Sequence, residues 1–279
     1  MAAPLDCRGK WLDLSRPRVM GVLNVTPDSF SDGGRYLEPE RAIARAREMV
    51  AEGAAVIDVG GESTRPGSAP VGVDEELRRV IPVVGALAKE LPVPVSVDTS
   101  TPEVMRRACA AGAGLINDVR ALQRRGAIEA AAETGAPVCL MHMRGEPRTM
   151  QDHPRYDDDV VAEVCEFLEQ RARACEAAGI GRARLLIDPG FGFGKALGHN
   201  LRLLNNLDRV AAIGLPVVVG LSRKSMIGNV LDAPVERRLH GSLAAAVLAV
   251  ARGARLVRAH DVRAHVEALR VTEAVLQAG

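Results

Sequence analysis

Eight short apolar runs, each followed by a longer segment of helical spacing, constrain this chain more than any other feature. The runs cover residues 18–23 (RVMGVL), 55–60 (AVIDVG), 94–98 (PVSVD) and 114–119 (GLINDV). They continue at 136–142 (APVCLMH), 184–188 (RLLID), 215–220 (LPVVVG) and 255–260 (RLVRAH). Continuous rather than alternating apolarity suits parallel strands covered on both faces. The intervening segments carry helix punctuation. Pro39 opens one and Gly53 ends it, Thr101 and Pro102 stand where an N-cap and first turn belong, and three aspartates precede the segment that stops at Gly179. Eight strand–helix units predict an α/β fold, a single (β/α)8 barrel over residues 1–279. An open doubly wound sheet is the competing architecture, but it wants a glycine fingerprint after the first strand, and VLNVTPDSF stands there instead.

Composition fits that architecture and excludes several function classes. Hydrophobic residues make up 47% of the 279 and aromatics only 3%, so the core must be Val, Leu, Ile and Ala. A formal net charge of +1 supplies no field for nucleic acid or an anionic membrane surface. The five cysteines are odd in number with no C-x-x-C pair, which argues against a disulfide framework. Neither a secretory h-region nor an apolar run long enough for a bilayer is present, so a cytoplasmic protein is expected.

Polar residues gather at the C-terminal ends of the runs, where barrels of this kind build active sites. The positions are Asn24, Glu62 to Arg65, Asp98, Asn117, Met141 and His142, Asp188, Ser222 to Ser225, and Arg258 with His260. Helix capping accounts for an isolated Asp or Asn at such a place, but not for the lysine and arginines. Asp98 and Asp188, partly desolvated there, need donors: either a flat heterocycle rich in N–H groups or an internal ion pair with Lys224. Asn117 both donates and accepts, as a lactam or amidine edge requires. Arg65, Arg258 and His260, with hydroxyls from Thr64 and Ser222, form a candidate anion site.

The stretch DPGFGFGKALGHN (188–200) invites a phosphate-loop reading that fails. Pro189 and Ala196 stand where a Walker A loop needs Gly and Ser or Thr, and Lys195 replaces the third glycine of a dinucleotide fingerprint. It reads instead as a flexible strand-end loop. Its Phe191 and Phe193, together with Phe30, are either walls for a ring or packing anchors.

The segments NVTPDSFSDGG, GGESTRPG, VDTS, IND, LMHMRG, DPGFGFGK, GLSRKS and VRAHDV, in this order from Asn24 to Val262, resemble the signature of the dihydropteroate synthase family of pterin-binding enzymes. The resemblance implies a (β/α)8 barrel, usually dimeric, with flexible loops after strands 1 and 2. It implies joining of 6-hydroxymethyl-7,8-dihydropterin diphosphate to 4-aminobenzoate, with release of pyrophosphate, in folate biosynthesis. By position it assigns the pterin to Asp98, Asn117, Met141, Asp188, Lys224 and Arg258. It assigns the diphosphate to Thr64, Arg65, Arg258 and His260, with Mg2+ held through Asn24. The aminobenzoate slot would be Phe30, Pro66, Phe193 and Ser225. Asp32 would stabilise the cation left after pyrophosphate departs, with Lys224 and Arg65 also catalytic. Sulfonamides, which mimic 4-aminobenzoate, would inhibit. A corrinoid-linked methyltransferase on the same barrel would share the pterin residues but needs neither NVTPDSFSDGG nor GGESTRPG. A silent paralogue would not need Asn24, Asp32, Arg65, Asp98 and Lys224 intact.

Overall fold

The computed structural model describes residues 4–25, 37–62, 71–145, 150, 154–156 and 159–278. Two short strands, β1 (Leu5–Asp6) and β2 (Trp11–Leu12), pair as an antiparallel hairpin. Eight parallel strands follow: β3 (Arg18–Asn24), β4 (Val56–Gly60), β5 (Val95–Asp98), β6 (Leu115–Asp118), β7 (Val138–Met141), β8 (Leu185–Asp188), β9 (Val217–Gly220) and β10 (Ala254–Ala259). They close in chain order, with β10 pairing β3, into the expected barrel. Each lies within two residues of its apolar run, because those runs are buried on both sides.

Strand parity divides the barrel interior into two zones. Met20, Val56, Leu115, Cys139, Leu186, Val218 and Leu256 form one apolar layer near the strand starts. Two residues further along the same strands stand Val22, Asp58, Asn117, Met141, Asp188, Gly220 and Arg258. Since side chains alternate faces with period two, the same inward face is apolar below and gathers its charged and amide groups above. The opposite parity packs outward under the helices, as Val19, Ile57, Val97, Ile116, Leu140, Ile187, Val219 and Val257 do.

The hairpin seals the lower end, a feature that the strand–helix repeat does not announce. Leu5, Cys7, Leu12 and Leu14 join the lower apolar layer. Arg8 donates to the carbonyls of Cys109 and Ala113, and Lys10 Nζ donates to those of Ala88 (2.7 Å) and Leu91 (2.6 Å). These bonds satisfy carbonyls in the last turns of two helices and in the links from them to the next strands. A Cβ on Gly114 would lie 2.3 Å from the Cys7 carbonyl oxygen, so that close approach requires glycine.

The helix punctuation holds in part. Helix Val160–Ala177 is capped by Asp159, whose carboxylate accepts from the Val161 amide. Thr101 occupies the cap position before helix Pro102–Ala110, yet its hydroxyl does not cap. It donates instead to the buried Glu76 carboxylate (3.0 Å), which also takes the Thr99 hydroxyl (2.5 Å). A buried carboxylate left without donors costs more than an uncapped helix start.

Candidate functional site

Across the upper barrel Arg258 reaches from β10 to the second and third barrel strands. Its Nε donates to Asp58 Oδ2 at 2.6 Å and its Nη2 to Asp98 Oδ2 at 2.7 Å. Asn117 Nδ2 donates to the same Asp58 oxygen at 3.0 Å. The register brings Gly60, Asp98 and Asn117 side by side on β4, β5 and β6. The cation that pairs with Asp98 is therefore Arg258, not Lys224, and an internal ion pair coexists with the pocket. Asp58 went unseen in the strand-end reading because it stands in mid-strand. A charge inside VIDVG was its available signal, since an ionised carboxylate among such neighbours must be paired.

Asp98, Asn117 and Arg258 face a pocket, open at the mouth, that is lined also by Val119, Met141, Asp188, Gly190, Phe191, Phe193, Gly220 and Lys224. All six residues that the resemblance assigns to the pterin are thus brought together. Burial raises the Asp98 carboxyl to about 7 despite Arg258, with Asp58 adding repulsion. Burial raises Asp188 to about 6, opposed by the Gly190 amide and Lys224. It lowers the Lys224 ammonium to about 8, helped by repulsion from Arg258 and opposed by Asp188 and Asp98. Charged groups so displaced inside one cleft mark a site that a polar ligand completes.

The loop after β8 is not the flexible connection expected. Gly190, Gly192 and Gly194 have φ of +69°, +78° and +64° and wind it into a tight curl. Cβ atoms on Gly190 and Gly194 would lie 1.9 and 2.1 Å from the carbonyl oxygens of His142 and Arg144, so the loop lies flush on the chain after β7. The Gly190 amide donates to Asp188 Oδ1 (2.7 Å) and the Gly192 amide to Asn200 Oδ1 (2.8 Å). Phe191 is an anchor, 1% exposed within the main core. Phe193 is a wall, packed with Val119, Met141 and Met150, and its ring centroid lies 4.2 Å from Lys224 Nζ.

At the rim, Asn24 ends β3 half-buried. Ser222 is buried, and its hydroxyl accepts from the His260 amide (3.2 Å) and lies 3.1 Å from His260 Nδ1, so it holds His260 rather than facing the mouth. Arg223, at φ +59°, forms a two-pronged ion pair with Asp261 (3.0 and 2.5 Å). That pair ties the loops after β9 and β10, on which Lys224 and His260 ride. Ser225 is exposed at the first turn of helix Ser225–Leu231. Phe30, Asp32, Thr64, Arg65 and Pro66 lie outside the described residues.

A flat ring inserted here would meet carboxylate acceptors at Asp98 and Asp188, an amide at Asn117, and apolar faces at Val119, Met141 and Phe193. Such a set selects an amino- and oxo-substituted nitrogen heterocycle over a sugar. Comparison with known proteins agrees. Residues 20–260 match the model of the pterin binding enzyme family. The dihydropteroate synthase of Escherichia coli strain K12 is 58% identical over 275 residues, covering 98% of this chain and 97% of that protein. That of Haemophilus influenzae is 50% identical over 274 residues, covering 98% and 99%. The Yersinia pestis dihydropteroate synthase, solved as a sulfonamide drug complex, superposes with a TM-score of 0.94 at 52% identity, covering 99% of this chain and 100% of that one. The Xanthomonas albilineans synthase superposes at 0.93 with 4-aminobenzoic acid (53% identity, 99% of both chains) and at 0.90 with 7,8-dihydropteroate (52% identity, 98% and 99%). A polar heterocycle pocket in a closed barrel, matched along nearly the full length of these relatives, establishes that the chain belongs to the dihydropteroate synthase family.

Proposed function

We propose that residues 1–279 act as one dihydropteroate synthase unit, joining a 6-hydroxymethyl-7,8-dihydropterin diphosphate to 4-aminobenzoate and releasing pyrophosphate. The observation that carries this reading is the convergence of Asp98, Asn117, Asp188, Lys224 and Arg258 on one pocket beside the apolar wall of Phe193. Asp98 and Asp188 take ring N–H groups, Asn117 the adjoining edge, and Met141 and Arg258 the faces. Asp58 holds Arg258 and Asn117 from below, and its Oδ1 is buried without a partner among the described residues.

In the same reading the diphosphate lies at the rim, against His260, Thr64, Arg65 and the outer edge of Arg258. The chemistry is dissociative: these donors neutralise charge growing on departing pyrophosphate, and the methylene cation is delocalised into the pterin ring. Asp32 adds negative charge beside it. The aniline nitrogen then attacks from a slot of Phe30, Pro66, Phe193 and Ser225. No protein nucleophile is needed.

The rim also fits a hard divalent cation, Mg2+ in this reading. A Cβ on Gly60 would stand 3.8 Å from Asn24 Oδ1 and 3.7 Å from Asp98 Oδ2, so glycine keeps an oxygen-lined notch open there. Asn24 would hold the ion, with substrate oxygens and water completing its shell. When bound, it would supply Lewis-acid neutralisation of the leaving pyrophosphate.

Among the described residues no helix is long and apolar enough to cross a membrane. A cytoplasmic homodimer, inhibited by sulfonamides at the aminobenzoate slot, completes the proposal. The test is direct. Purified protein given both substrates and Mg2+ must release pyrophosphate and form 7,8-dihydropteroate in equal amounts; no release would refute the reading.

A further inference from the structure

We infer that Lys195 is a positioning residue for the aminobenzoate slot, acting through the backbone of Phe193 with His142 as its partner; the inference rests on the synthase reading above. Lys195 is 2% exposed and lies beneath the glycine curl rather than in the pocket. Its amine, whose pKa burial lowers to about 7 against the pull of Asp188, meets three acceptors when charged: the carbonyls of Gly190 (2.9 Å) and Phe193 (3.2 Å) and Nδ1 of His142 (2.9 Å). A buried ammonium without such partners would be strongly disfavoured, so the curl and the lysine require each other.

With Lys195 charged, His142 offers it the Nδ1 lone pair and carries its own proton on Nε2. Burial and the adjacent ammonium push its pKa down to about 2, in keeping with a neutral ring. The outer edge is fastened as well. Asn200 Nδ2 donates to the Lys195 carbonyl (3.0 Å), and the Tyr156 hydroxyl to that of Gly194 (3.0 Å).

What the ammonium fixes is the direction of Phe193. With its carbonyl turned down to Lys195, the Phe193 ring turns up into the pocket and lies under Lys224 Nζ. Two lysines therefore bracket one residue, one below through the backbone and one above through the ring. The ring wall is in place before any aromatic substrate arrives, which removes an ordering cost from binding.

Steady-state kinetics of the full chain with both substrates test this. Lys195→Met keeps the stem and removes the donors. It should raise KM for 4-aminobenzoate, and the inhibition constant of a sulfonamide, by about tenfold or more, with KM for the pterin diphosphate within about threefold. His142→Leu should reproduce that pattern, and His142→Asn, whose Oδ1 supplies an acceptor, should restore most of it. Folded variants with wild-type KM for 4-aminobenzoate, or equal loss for both substrates, would overturn the assignment. If Lys195→Met does not fold, the contrast between the leucine and asparagine variants at His142 decides, and failure of asparagine to restore overturns it. Wild-type protein without turnover overturns the synthase reading and this assignment with it; wild-type turnover with unchanged variants overturns this assignment alone.

Discussion

Arg258 and Asp58 meet inside the barrel from strands separated by only β3, Nε to Oδ2 at 2.6 Å, although 200 positions separate them in the chain. The contact joins the last strand to the second barrel strand in the upper interior. It leaves the rest of the guanidinium for Asp98 and for whatever occupies the pocket.

Asp58→Ala strips both Arg258 and Asn117 of their buried acceptor. Breaking one partner of such a pair costs about 3–5 kcal/mol. Denaturant unfolding should show that loss, and calorimetry should show pterin affinity falling at least about tenfold. Unchanged affinity in folded protein would remove Asp58 from the pocket's support.

Asp98 sets a pH dependence. Burial raises its carboxyl to about 7, and that of Asp188 to about 6. Ring N–H groups bind the ionised forms, so pterin affinity should rise with pH through this window and flatten above it, by up to about tenfold per pH unit for each group. For folding the sign is reversed. Raised carboxyl pKa values contribute stability that is full below about pH 4 and lost as pH rises through 6 to 7. Calorimetric titrations across the range check the first effect. Asp98→Asn should bind far more weakly, yet remain folded and lose the upper part of the slope.

Gly190→Ala places a Cβ 1.9 Å from the His142 carbonyl oxygen at φ +69°. We expect destabilisation of at least about 2 kcal/mol and weaker pterin binding, because Asp188 loses its Gly190 donor. Wild-type stability would mean that the curl is not rigid.

Leu12→Ala cuts into the apolar plug at the opposite end. The expected loss is about 2–5 kcal/mol of stability with both KM values unchanged, since the lower face of such barrels serves folding rather than chemistry. A changed KM would show that the plug communicates with the mouth.

Asp32→Ala tests the proposed cation stabiliser. Turnover should fall by about a hundredfold or more while KM for the pterin diphosphate moves little. Equal loss in both would remove its transition-state role.

The strands and their direction were legible in the sequence because a parallel strand covered on both faces must be apolar on both parities, and RVMGVL or LPVVVG admits little else. Asn117, Asp188 and Arg258 were legible as site candidates because polar groups there follow directly on such runs. The hairpin was not, since two strands of two residues carry no periodicity to read. Nor was Asp58, whose purpose depends on Arg258 arriving from the far end of the chain. Lys195 gave only a failed phosphate-loop pattern; its three acceptors come from a curl and from the neighbouring strand end. Local composition determines which segments become strands and which face is apolar, because those depend on neighbours in the chain. Pairing of buried charges, the direction of Phe193 and the rigidity of its loop were decided only when barrel closure brought distant strand ends within hydrogen-bond reach.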